Sequence, residues 1–142
     1  IELDAHFRIE NRGQSLYVPI EKHQFSMYLK GNYYSLGLRK NVYTFDDALS
    51  QLDTEILYKT VLKPILGIQD IRTDTRISYA PKKNNSLALK EKVDSDEYEV
   101  AFGMVPINIE EIKKIADANL QMPPKSTYIE PKLRSALTIY EF

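Results

Sequence analysis

Cysteine is absent from this 142-residue chain, which excludes disulfides and thiolate-held metals and fits a reducing compartment, so a cytoplasmic location is expected. Charge of one sign is lacking too. Nineteen Lys and Arg stand against 20 Asp and Glu, a formal net charge of -1, so no overall field draws the chain toward nucleic acid or anionic lipid. Long apolar runs are missing. Stretches such as Val100 to Ile107 fall far short of the roughly 20 residues that span a bilayer, and no charged-then-apolar leader opens the chain, so no membrane partner is expected. Histidine is scarce: His6 and His23 fall in different expected elements, and neither has a second histidine or paired carboxylate at helical metal spacing. No metal site is expected. Without cysteine or a Gly-x-Ser-x-Gly setting, nucleophilic catalysis has no local support either.

What is present is ordinary globular composition, 43% hydrophobic and 27% charged, at the common length of one domain. Residues 1–142 are expected to share one core. The chain opens on Ile1 rather than Met, with Phe7-Arg8-Ile9 already strand-like, so a piece cut from a longer protein is expected. Leu3 to Ile9 alternates apolar residues before the turn-like cluster Glu10-Asn11-Arg12-Gly13, and Leu16 to Ile20 extends briefly. Gln24 to Leu29, the turn Lys30-Gly31-Asn32 and Tyr33 to Leu38 form the best-marked hairpin.

Asp53 is expected to cap a helix with Leu57 and Val61 on its apolar side, ended by Pro64 and Gly67. Arg72 to Ala80 then reads as an extended chain with Arg72, Asp74 and Arg76 on one side. A loop follows. Ser86 is expected to cap a short helix through Leu89 and Val93, closed by Asp94-Ser95-Asp96. Val100 to Met104 is apolar on both faces, as a central strand would be. Asn108 and Glu111 make a capping box ahead of a helix whose buried stripe is Ile109, Ile112, Ile115 and Ala116, stopping near Asn119. Ala136 to Tyr140 reads as a closing strand. Together these elements predict an α+β fold, a mixed or mainly antiparallel sheet with about three helices packed mostly on one face.

The segment Met122 to Arg134 stands out as a functional surface. Its Pro124-Lys125-Ser126-Thr127 is no nucleotide-binding P-loop, because that loop needs glycine N–H groups aimed at phosphate and two prolines here supply none. Side chains remain: Lys125, Ser126, Thr127, Lys132 and Arg134 offer donors for a phosphate or carboxylate, with Glu130 as counter-charge or base. The same residues also suit a proline-stiffened, solvated connector. Arg72 and Arg76, ordered by Asp74, form a second candidate anion clamp, or else cross-strand ion pairs on a wet face. Tyr28, Tyr33 and Tyr34 suit stacking on a ring, or core packing.

The residues Met122 to Ser135, with Pro64 to Ile68, Asp70 to Ile77 and Ala116-Asp117-Ala118, resemble the C-terminal half of an uncharacterised prokaryotic family catalogued as domain of unknown function 1015. The resemblance runs from about Gln24 to the end. Longer members carry, upstream, an Asp-Gly-His-His-Arg motif similar to that of ParB-like proteins that include free-serine kinases; that motif is absent here. The resemblance implies a parent that phosphorylates a small hydroxyl substrate such as serine and uses phosphate or a nucleotide. This chain would then be its accessory part. The alternative is a structural or interaction domain packing on the upstream half, or on a second copy as a homo-oligomer. No catalytic residue carries over.

Overall fold

The computed structural model describes residues 2–79 and 85–124. Four strands make one antiparallel sheet: β1 (Phe7–Gly13), β2 (Gln24–Leu29), β3 (Asn32–Leu38) and β4 (Val100–Met104), in the order β1-β3-β2-β4. The helices are α1 (Asp53–Leu57), continued by a π-helical turn at Tyr58–Leu62, α2 (Asn85–Asp94) and α3 (Ile109–Asp117). The fold is α+β.

The hairpin β2–β3 forms as its pattern predicts, with Leu29 paired to Asn32 across the two-residue loop Lys30-Gly31. Both loop residues have positive φ, 48° and 81°, the backbone of a type I′ turn whose twist matches the strands it joins. Glycine at the second position makes that conformation inexpensive. The alternation then sorts side chains cleanly. Phe25, Met27, Tyr34 and Leu36 face one side with Phe7 and Ile9, where α1 closes the main core through Ile56, Leu57 and Val61. Phe7, Phe25, Leu36 and Ile56 are fully buried there. At about 1.5–3 kcal/mol for each large apolar side chain removed from water, this cluster is the principal source of stability.

The other sheet face is not bare. Tyr28, Tyr33 and Ala101 pack against Val93 of α2, so α1 and α2 lie on opposite faces of the sheet rather than together on one. Among the described residues Val100 to Met104 stands at the end of the strand order and pairs with β2 alone, where a central strand was expected. Its double-sided apolar character comes from two cores: Val100, Phe102 and Met104 join the first and Ala101 the second. The tyrosines follow suit. Tyr28 and Tyr33 are buried at ring centroids 4.6 Å apart, and Tyr34 packs on the main core, which is the packing reading of that cluster.

Other local expectations moved for identifiable reasons. The cluster Glu10 to Gly13 completes β1, preceded by a 3-10 turn at Leu3–Ala5, and the register slips between Asn11 and Gly13, where Gly13 takes φ 60°. A bulge there lets turn-forming residues stay in a strand. Leu16 to Ile20 joins no strand, and Leu16, Val18 and Ile20 are exposed. Asp53 does not cap α1. It is the first helical residue, after Leu52, and its carboxylate reaches across to accept the His23 N–H at 2.9 Å. Ser86 lies inside α2, which still ends at Asp94 as expected.

Pro64 shapes the end of the α1 segment. Its ring and missing N–H disrupt the regular bond to the fourth residue back, and the helix widens just before it, with Lys63 N–H donating five residues back to the Tyr58 carbonyl at 3.0 Å. The Thr60 hydroxyl donates to the Ile56 carbonyl at 2.6 Å, which adds to the local bend. Gly67 then ends the segment at φ 67°.

The capping box of α3 forms in both directions: Glu111 N–H donates to Asn108 Oδ1 and Asn108 N–H to Glu111 Oε2, each at 2.9 Å. Its buried stripe is narrower than the pattern predicts. Ile115 is buried, but Ile109 is 74% exposed and Ala116 faces solvent. The helix ends in a Schellman motif, with Leu120 N–H on the Ile115 carbonyl, Asn119 N–H on that of Ala116, and Asn119 at φ 53°. The predicted strand Ala136 to Tyr140 lies outside the described residues.

Candidate functional site

The end of α3 delivers Gln121, Met122, Pro123 and Pro124 to a cleft of about 190 Å³. Its opposite walls are Glu55 and Tyr58 of the α1 segment and the loop Gln69-Asp70-Ile71-Arg72. Two regions distant in sequence, both candidates on their residues alone, therefore meet at Arg72 and the start of the Met122 to Arg134 segment.

The loop is not the extended chain its alternation predicts. Two turns replace it: Asp70 Oδ1 accepts the Arg72 N–H at 2.8 Å and Asp74 Oδ1 accepts the Arg76 N–H at 2.9 Å. Aspartate side chains that bond the backbone two residues on compete with strand pairing, and the spacing of Asp70 and Asp74 does so twice. With no strand there is no shared face, and Arg72 parts from Asp74 and Arg76, which stay paired.

Arg76 is engaged structurally. Its guanidinium holds the Asp74 carboxylate at 2.6 Å and donates to the Leu66 and Gly67 carbonyls at 3.2 and 3.1 Å. It thus binds the carbonyls that the end of the helical segment leaves open. Asp74 does order an arginine, but toward the backbone and away from a ligand. The hydrogen bonds from Arg76 hold the Asp74 carboxyl below the usual carboxylate range. Arg72 differs. Among the described residues its guanidinium has no hydrogen bond or ion pair, and it lines the cleft.

Around Arg72 the cleft sets polar groups, several of them held in place, among the apolar Leu49, Ile71, Met122 and the two prolines. The Tyr58 hydroxyl donates to the Gln69 carbonyl at 2.5 Å, tying the helical segment to the loop. Glu55 lies 3.5 Å from Lys59, and Asp70 turns one carboxylate oxygen to its own loop. The side-chain amides of Gln69 and Gln121 add donors and acceptors. Glu55, Tyr58, Gln69 and Gln121 are site residues that sequence reasoning missed. Only Glu55 and Tyr58 left a signal, being three apart and so on one side of a helix. Lys125, Ser126, Thr127, Glu130, Lys132 and Arg134 lie outside the described residues.

The histidines stay apart. His23 stacks on Phe45 at 5.0 Å between ring centroids, and His6 Nδ1 is buried without a partner among the described residues. Among the described residues no group of three or more His, Asp or Glu side chains could hold a metal ion. None of their helices is long and apolar enough to cross a membrane. Compared with known proteins, the chain matches no family model, no curated protein and no solved structure.

Proposed function

We propose that this chain is an accessory domain that binds a phosphate- or carboxylate-bearing small molecule in the Arg72 cleft, for chemistry completed by an upstream half in a kinase-like, cytoplasmic parent. The observation that carries the reading is the Arg72 guanidinium, a positive fork of donors without a partner among the described residues, at the wall of a cleft. Glu55 and Asp70 on the same walls disfavour a multiply charged anion alone. They favour a ligand that also carries a cationic donor, such as an amino acid or its phosphate ester. A serine-phosphorylating parent, as expected from the sequence, would handle the same substrate class.

Calorimetry of the chain with phosphoserine, serine and inorganic phosphate tests it. Phosphoserine or serine should bind more tightly than inorganic phosphate, and Arg72→Ala should weaken binding about ten- to hundredfold, the range for a hydrogen-bonded charged contact. Failure of all three to bind, or an affinity untouched by Arg72→Ala, would defeat the proposal. A second reading, an interaction domain packing on the upstream half or a second copy, draws on the exposed Leu16, Val18 and Ile20, which are 53, 53 and 84% accessible. Sedimentation of the chain alone and with the upstream half, against Val18→Asp, separates the two.

A further inference from the structure

A second cavity, of about 300 Å³, lies on the other face of the sheet, between the segment at Val18-Pro19, strands β2 and β4, and the start of α2. Its walls contrast with those of the Arg72 cleft. In a chain that is 27% charged, none of the described residues that line this cavity carries a charge. Leu89, Ala101, Phe102, Met104, Val18 and the prolines give it an apolar surface, and its polar handles are the hydroxyls of Ser26, Tyr28, Tyr33 and Ser86.

Those hydroxyls are not equivalent. Tyr28 is taken, donating to Asp94 at 2.6 Å, and Lys90 pairs with the same carboxylate. Ser26 and Ser86 have no hydrogen-bond partner among the described residues. Tyr33 is 4% exposed, and its hydroxyl is buried with no partner among the described residues. A buried hydroxyl left unbonded is destabilising, a deficit that an acceptor reaching it removes. The floor of the cavity is kept low at Gly103, where an added Cβ would come within 2.5 Å of Ser26 Oγ. Glycine there leaves the serine hydroxyl uncovered.

We propose that this cavity binds a small, uncharged, mainly apolar molecule bearing one hydrogen-bonding oxygen, which is received by the hydroxyls of Ser26 and Tyr33. A volume of about 300 Å³ is at the small end of ligand sites, which suits a single ring with a short polar substituent. Burial holds the Tyr33 phenol above its ordinary pKa, so it remains a neutral donor at physiological pH. The site is independent of the Arg72 cleft, and either can fail without the other.

The test uses two probes of nearly equal shape, acetophenone with a carbonyl and ethylbenzene without, titrated into the isotopically labelled chain. Acetophenone is expected to move the amide signals of Ser26, Ala101 and Gly103 and to bind about two- to tenfold more tightly than ethylbenzene, the range for one net hydrogen bond. Ser26→Ala or Tyr33→Phe should abolish that preference while ethylbenzene binding survives. The double variant Ser26→Ala/Gly103→Ala, whose new methyl meets the Ser26 Cβ at an ordinary 3.8 Å, should fold normally and weaken both probes by raising the floor. The proposal is overturned if neither probe moves those amides, or if acetophenone keeps its preference in both single variants. It is equally overturned if the folded double variant binds as the parent does.

Discussion

Replacing Asn108 with alanine tests how the α3 cap supports the Arg72 cleft. The substitution removes the acceptor of the Glu111 N–H, a 2.9 Å bond, and leaves the reciprocal Asn108 N–H bond to Glu111 Oε2 without its mate. Glu111 is also held by Lys22 at 2.8 Å, and Lys22 donates to the Pro106 carbonyl at 3.0 Å, so the cap ties α3 to the turn before β2. Loss of an N-cap side chain costs about 1 kcal/mol, within a range of about 0.5–2. The partly buried Lys22 pair, with side chains 29% and 17% exposed, contributes on the order of 1 kcal/mol. Asn108→Ala should therefore cost about 1 kcal/mol, and Glu111→Ala somewhat more, because it loses half of the box and the lysine pair together. The double variant should cost less than the sum, since each single change already breaks the box. With a urea m-value of about 2 kcal/mol per molar, Asn108→Ala moves the unfolding midpoint down by about 0.5 M. Strictly additive losses, or an unchanged midpoint for Asn108→Ala, would refute the reciprocal cap as a stabilising unit.

Three further outcomes follow from the geometry. Gly31→Ala should cost about 1 kcal/mol in urea unfolding with no steric contribution, because φ is 81° and nothing lies within 4 Å of the new Cβ; Gly31→Asn should recover part of it. Burial lifts the Asp53 carboxyl above its ordinary value, so the folded state holds its proton more tightly than the unfolded chain. The stability it contributes is complete below the unfolded carboxylate pKa and is lost as pH rises through the raised folded pKa, at about 1.4 kcal/mol per unit of difference. Against Asp53→Asn, which cannot titrate, the parent chain should lose stability from about pH 4 upward, and a difference that stays flat in urea unfolding between about pH 3 and 7 would contradict this. Finally, Arg76→Gln should let the Asp74 carboxyl titrate closer to its ordinary value in a carbon-detected NMR titration; an unmoved Asp74 would mean that Arg76 does not hold it.

The elements whose signals are local were legible in the sequence. The β2–β3 hairpin rests on Lys30-Gly31 and two alternating runs, and α3 on the pair Asn108 and Glu111 with Asn119 beyond its end; each is decided within a few residues. Misreadings came where a distant partner competed with a local rule. Asp53 has the residue type and position of a cap, yet the left-handed backbone of His23, at φ 67°, offers it an N–H from another element. Val100 to Met104 has the composition of a central strand because its two faces meet two cores, the second closed by α2, although among the described residues only β2 pairs with it. For the site, Arg72 and Met122 were legible as residues of interest. Their meeting was not, because it depends on where α3 ends relative to the α1 segment.

The arginines of the Asp70 to Arg76 loop show why residue type alone leaves function open. Arg72 and Arg76 occupy equivalent places in a repeated Asp-x-Arg spacing, and each backbone N–H bonds the aspartate two residues before it. The local conformations are alike, so the difference lies in what each guanidinium meets. Arg76 sits beside the end of a helical segment that Pro64 and Gly67 have stopped, where the Leu66 and Gly67 carbonyls accept from it. Four residues earlier Arg72 meets no such carbonyls and faces the cleft instead. One arginine closes the backbone of the domain and thereby fixes the loop on which the other is presented. A positive group on a loop braced by the Tyr58 to Gln69 bond and the Arg76 contacts loses little freedom when it binds an anion. Breaking the Arg76 contacts should accordingly weaken ligand binding at Arg72, although Arg76 lines no part of the cleft.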